Sequence, residues 1–204
     1  MVFFVGVLAL GVYRVFFVWM IRVPTTAMAN TILPGDQLVV HRLLGGIKRG
    51  DIVAFRYPDK NEYYVARVIG LPGEAIQLRG RLVYINDRVL DEQRVMVEPE
   101  HNGYDALTEL STEGTGPYRV YYTKHAFADA EQNESGDFGV DTPFQIPPDS
   151  YFILGDNRDN SYDSRYRGAA PRRLIWGKPS IIYFSVAMPN GDKVRTERIF
   201  KRVQ

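Results

Sequence analysis

The chain opens on a run of 21 residues, MVFFVGVLALGVYRVFFVWMI, in which Arg14 is the one charge. At 1.5 Å per residue, about 20 residues in a helix match the roughly 30 Å hydrocarbon core of a bilayer. A buried helix of a soluble domain would need apolar cover on every side. A cleaved signal peptide is suggested by Ala27-Met28-Ala29, but no basic segment precedes the apolar run, and Arg14 and Arg22 interrupt the approach. The pattern fits best a single membrane-spanning helix over residues 1–21. Phe16, Phe17 and Trp19 then approach the interface, while Arg14 snorkels or faces protein. Pro24 closes the segment, because the residue before a proline avoids helix.

Beyond residue 22 the pattern changes to short apolar runs cut by turn residues. Strands are predicted over 37–40, 52–57, 62–70, 76–78, 82–85 and 88–90. Pro34-Gly35-Asp36, Lys48-Arg49-Gly50-Asp51 and Leu71-Pro72-Gly73-Glu74 punctuate them, and Asn86-Asp87 marks a hairpin. Residues 91–145 are less regular, with one alternating stretch at 118–124, and read as an inserted β-ribbon or cap without evident chemistry. Further strands are expected at 151–154, 174–177 and 181–186, followed by a tail, 195–204, that forms a short basic helix or is disordered. No internal repeat is visible. Many short strands without paired amphipathic helices predict a mainly β fold behind one membrane anchor. Its β core covers 22–90 and 146–194.

Composition narrows the function classes. Lys plus Arg is 25 and Asp plus Glu is 24, a balance that gives no case for nucleic acid. The absence of cysteine excludes disulfides, thiolate zinc sites and a cysteine nucleophile. His41, His101 and His125 lie far apart, without metal-ligand spacing.

The densest polar stretch is GDNRDNSYDSRYRG, from Gly155 to Gly168, which follows the apolar YFIL. It holds three Asp, two Asn, two Ser and three Arg. A solvated loop is the plain reading. The near alternation of Asp156, Arg158, Asp159, Asp163 and Arg165 instead suits an internally paired loop built to hold a site. On its own the loop does not name the chemistry.

Five segments in order resemble the type I signal peptidases, the bacterial leader peptidases. The apolar anchor leads into VPTTAMANTILPGD, which is similar to the family's nucleophile box. RGDIVAFRYP resembles the next box, YYVARVIGLPGE the lysine box, and GDNRDNSYDSRYRG the last. The resemblance implies a signal-peptidase-like β fold and a Ser–Lys dyad without metal or cofactor. In that chemistry a neutral lysine takes the serine proton, and the hydroxyl oxygen attacks the peptide carbonyl to form an acyl-enzyme. The implied substrates are preprotein signal peptides cut after a small-x-small motif such as Ala-x-Ala. The implied location is the bacterial cytoplasmic membrane, with the catalytic domain on the outer face of the lipid bilayer.

This sequence departs from the family at both catalytic positions: the serine falls on Ala27 and the lysine on Ala66. A methyl group has neither a lone pair nor a transferable proton, so the chain as written is expected to be inactive. By resemblance, Thr25 contributes to an oxyanion hole with the N–H of residue 27, and Ser161 orients the lysine. Asp163 and Arg165 look like an ion pair behind the site or a plain loop staple, with Arg67 and Asp156 in support. Met28, Ile32, Tyr64 and Val65 line substrate pockets or simply pack the core. Two readings account for the alanines: both catalytic groups have been replaced in a working peptidase, or a natural pseudo-peptidase has lost them and binds signal peptides. The survival of the supporting residues favours replacement.

Overall fold

The computed structural model describes residues 18–43, 45–59, 62–98, 106–123, 136–140, 142–191 and 193–204. Strands, numbered here in chain order, dominate them. An antiparallel seven-stranded sheet runs in the order β1 (Val18–Arg22), β2 (Asp36–Arg42), β14 (Ile175–Ser185), β3 (Ile52–Phe55), β4 (Tyr64–Gly70), β12 (Ser150–Leu154) and β13 (Ala170–Pro171). A second sheet has the order β11 (Phe144–Gln145), β5 (Ala75–Arg79), β6 (Leu82–Ile85) and β7 (Arg88–Val89). A third has the order β10 (Arg119–Thr123), β8 (Gln93–Glu98) and β9 (Thr108–Glu113), with β8 and β10 parallel. The chain is mainly β.

The short strands follow from local chemistry. β2 alternates buried and half-buried positions, as a sheet with one core face requires, whereas β12 is buried at all five positions and lies between β4 and β13. Between β6 and β7 the turn residues Asn86 and Asp87 both have positive φ, 49° and 62°. That geometry belongs to the two-residue hairpin turn, which Asn and Asp tolerate better than other side chains. The long β14 holds Pro179 at a register shift against β2, the kind of irregularity at which a residue without an N–H is tolerated.

The core is continuous across the sheets. Ile69, Phe152 and Leu154 of the large sheet pack with Ile76, Leu78 and Val83 of the second and Val120 and Tyr122 of the third. A second cluster lies around Val53, Phe55, Ala66, Val68 and Ile153, and a third around Met28, Ile32, Leu38 and Ile182.

Three expectations need correction. The membrane helix expected over 1–21 does not extend to residue 21. Val18 to Arg22 pairs residue by residue with β2, and Trp19 meets Trp176 edge to face at 6.1 Å. Residues 1–17 of that expectation lie outside the described residues, and no described helix is long and apolar enough to cross a membrane. An apolar run alone does not separate a buried strand from a helix. The two closing strands are one, β14. The tail is neither a regular helix nor disordered: Thr196–Arg198 forms one 3-10 turn, and Arg202 bridges to Ile181. Arg198 there grips the buried Asp36 carboxylate through Nε, at 3.0 Å from Oδ1, and a second nitrogen.

Candidate active site

Three separate segments build one cleft. The first is the turn after β1, where Ala29 N–H donates to Thr26 O (2.8 Å) and Ile32 N–H to Met28 O (2.7 Å). This turn leaves Thr25 exposed, Ala27 half-buried and Met28 buried. The second is the start of β4, where Ala66 pairs with Val53 and is 3% exposed among apolar neighbours. The third is the polar loop after β12. Together they place Thr25, Ala27, Met28, Tyr64, Val65, Ala66, Ser161 and Asp163 around a shallow space of about 30 Å³. Ile32 does not line it; its side chain is fully buried with Leu38 and Val40. Arg67, Asp156 and Arg165 also lie off the wall.

The loop is held by ion pairs rather than by apolar packing. Arg67 donates to both oxygens of Asp156, at 2.8 and 2.7 Å, with both side chains buried. Thr31 Oγ1 donates to the same carboxylate at 2.6 Å, tying the loop to the Ala27 turn. Burial opposes the charge of Arg67, but Asp156 outweighs it and holds the guanidinium pKa above its ordinary value. Asp163 caps the single-turn helix α1 (Ser164–Arg167) and accepts two hydrogen bonds from the Arg165 side chain, at 2.9 and 3.0 Å. Its Oδ2 also accepts from Gly155 N–H at 2.9 Å.

The Ala27 turn and the loop touch through backbone. Asn157 N–H donates to Ala27 O at 3.0 Å, and Asn157 Nδ2 donates to Thr26 O at 3.1 Å. Gly155 is required here. A Cβ at that position would stand 2.3 Å from Ser161 Oγ and 2.5 Å from Ala27 O, closer than any side chain tolerates.

What the cleft can do chemically follows from what its groups are bonded to. The hydroxyls of Ser161 and Thr25 and the N–H of Ala27 make no hydrogen bond within the described residues, and all three belong to cleft-lining residues. Asp163 is committed to Arg165 and Gly155. The cleft is also lined by the Glu62 carboxylate, and none of the described groups of His, Asp and Glu is arranged to hold a metal ion.

Sequence reasoning missed Thr31 and, above all, Glu92, whose carboxylate receives the buried Arg158 guanidinium of the loop (NH1 to Oε2, 3.0 Å). No local signal marks Glu92, because its partner lies 66 positions away.

The fold and the cleft define a mainly β protein with a polar loop braced against a turn and a strand. The family described as signal peptidase, peptidase S26, matches residues 1–184, and the chain belongs to that family. It is 31% identical to a signal peptidase I of Rickettsia typhi, covering 94% of this chain and 88% of the relative. A signal peptidase I of Leptolyngbya laminosa is also 31% identical, over 88% of this chain and 75% of the relative. A solved signal peptidase I from Enterococcus faecalis V583 aligns with 66% of this chain and 97% of its own, at 27% identity and a TM-score of 0.38. That superposition is too loose to bear on the fold, which rests on the strand pairing above.

Proposed function

We propose that the cleft is the active site of a membrane-bound type I signal peptidase, which removes signal peptides from exported preproteins after a small-x-small motif. Ala27 and Ala66 stand where its serine and lysine belong, so the chain as written does not cleave. The observation that carries this reading is the meeting of Ala27, Ala66 and Ser161, from three distant segments, around one cleft. A lysine at position 66 would project from apolar surroundings, which lowers its pKa and leaves it neutral enough to take a proton. The Ser161 hydroxyl is free to orient that amine. A serine hydroxyl at position 27 would attack the scissile carbonyl, and the Ala27 N–H and Thr25 hydroxyl are free to receive the oxyanion.

Substrate recognition has support as well. β12 pairs with β4 only from Arg67 onward, so Tyr64 and Val65 keep an open edge beside Val23 and Pro24. An extended cleavage segment added there would gain main-chain hydrogen bonds, and the small space admits only small side chains. The apolar residues 1–17 serve as the anchor in this reading, in the bacterial cytoplasmic membrane with the cleft on its outer face.

A second reading, a natural pseudo-peptidase that binds signal peptides, rests on the missing nucleophile–base pair. One comparison separates the two. In the same detergent or lipid, a preprotein with an Ala-x-Ala site is offered to this chain and to its A27S/A66K variant. Cleavage by the variant alone, with kcat/KM rising with pH through the lowered lysine pKa, is the expected result. A folded variant that binds the preprotein without cutting it sinks the peptidase reading and leaves the pseudo-peptidase.

A further inference from the structure

The loop that carries Ser161 is braced at one point that the dyad chemistry does not explain. Arg158 is 1% exposed, and its guanidinium meets residues in or just ahead of the three-stranded sheet, none of which lines the cleft. There Glu92, itself 1% exposed and just ahead of β8, accepts from both terminal nitrogens. Tyr118 OH donates to the same carboxylate at 3.1 Å. Arg158 also donates to Tyr122 Oη of β10 at 3.2 Å, and its other contacts run back into the loop. Its Nε donates to Gly155 O at 3.3 Å, and its own carbonyl accepts from Arg165 at 2.6 Å. Burial works against the Arg158 charge, yet Glu92 holds its pKa well above the ordinary value.

The three-stranded sheet grips the same loop by its backbone. Tyr121 N–H donates to Asp156 O at 2.7 Å, and Tyr121 bridges to Asn157 as in a parallel pair. Asp159 Oδ2 accepts from the N–H and the hydroxyl of Thr123, at 2.7 and 3.0 Å. A buried ion pair is a poor device for stability, since well-packed apolar side chains of similar volume often serve as well or better. What a bidentate pair supplies is direction: the fork fixes where the arginine, and the backbone that bears it, must sit.

We infer that Glu92 is a positioning residue for the reaction. Through Arg158 it sets the height of the loop from Gly155 to Ser161, and so the placement of the Ser161 hydroxyl and of the Ala27 carbonyl held by Asn157. This inference rests on the peptidase reading for its kinetic consequence, but not for its structural one.

The test uses the A27S/A66K background with two further changes, E92Q alone and the apolar pair E92M/R158M. E92Q keeps volume and the Tyr118 contact but loses the charge. E92M/R158M removes the buried pair altogether, and it keeps the question open should E92Q alone fail to fold. The expected result is a fall in kcat of about 10- to 100-fold in both, the scale of an ångström-level misplacement. KM should change less than about twofold, and the pH at which kcat rises should shift, because the lysine loses its oriented partner. Unchanged kcat and pH profile in folded E92M/R158M overturn the inference and reduce Glu92 to a structural counter-ion. If the A27S/A66K background is itself silent, the peptidase reading falls, and amide exchange decides the positioning role. Exchange across 155–161 faster by about tenfold in E92Q, with β12 unchanged, supports it. Equal exchange refutes it.

Discussion

Among single residues, Tyr57 carries an uncompensated cost. Its hydroxyl is buried without a hydrogen-bond partner among the described residues, while the Arg167 guanidinium lies 4.0 Å from its ring centre. Burial raises the phenol pKa above its ordinary value near 10. A raised folded-state pKa stabilises the protein fully below the unfolded value, and that stability is lost as pH climbs above about 10. Tyr57→Phe keeps the ring contact and removes the orphan group. It is expected to add about 1 kcal/mol of stability at pH 7 and to flatten the alkaline loss, as read by urea unfolding at pH 7 and 10.5. A variant less stable than the parent at both pH values would show that the hydroxyl has an overlooked partner. The same scale shows what a sequence discloses. Ala27, Ala66 and Ser161 could be singled out because each falls in a short, ordered motif, whereas Ile32 stayed open between pocket and core, because an apolar residue next to a site looks the same whether it faces the cleft or the core. Glu92 was invisible because its meaning lies in a contact between segments far apart in the chain.

Elements tell a similar story. Alternation marked the half-buried β2, β5 and β6, and turn residues bounded the continuous buried runs of β3 and β4. They failed at Val18–Arg22, where an apolar run carries no period, and at the tail, where basic residues suggested solvent. Beside its backbone bonds to β14, the tail carries a buried ion pair: Arg198 meets Asp36, which also accepts from Ser185 Oγ at 2.6 Å and Leu33 N–H at 2.9 Å. Arg198→Met leaves that carboxylate buried with its counter-charge gone. The expected cost is about 3–5 kcal/mol, seen as a lower urea midpoint with an unchanged slope. A midpoint equal to the parent's would mean that this ion pair contributes nothing to stability.

For the molecule as a whole, position 66, where the proposed function calls for a lysine, sets activity against stability. Ala66 sits in the cluster around Val53, Val68 and Ile153, and an ammonium group placed there is disfavoured by burial. The lysine of A66K therefore has a folded-state pKa below its unfolded value of about 10.4. Between those two values the unfolded chain binds the extra proton, so stability rises with pH across that window. The A27S/A66K protein is thus expected to be less stable than the alanine chain at neutral pH and to approach it near pH 10.5. Matched denaturation curves at pH 7 and 10.5 check this, and a deficit that does not shrink with pH would place the amine in solvent rather than in the core.

The three-stranded sheet has one inner and one outer flank. β10 lies against the polar loop after β12 and buries Val120, Tyr121 and Tyr122, while all six residues of β9 are exposed. Change in this region therefore has a direction. The rim at β9 can be recoloured, extended or grafted with little echo inside, whereas a single altered side chain on the β10 flank is felt at the polar loop and the cleft beside it. A segment that reads as decoration along the chain is half ornament and half foundation, and the division runs down the middle of one small sheet.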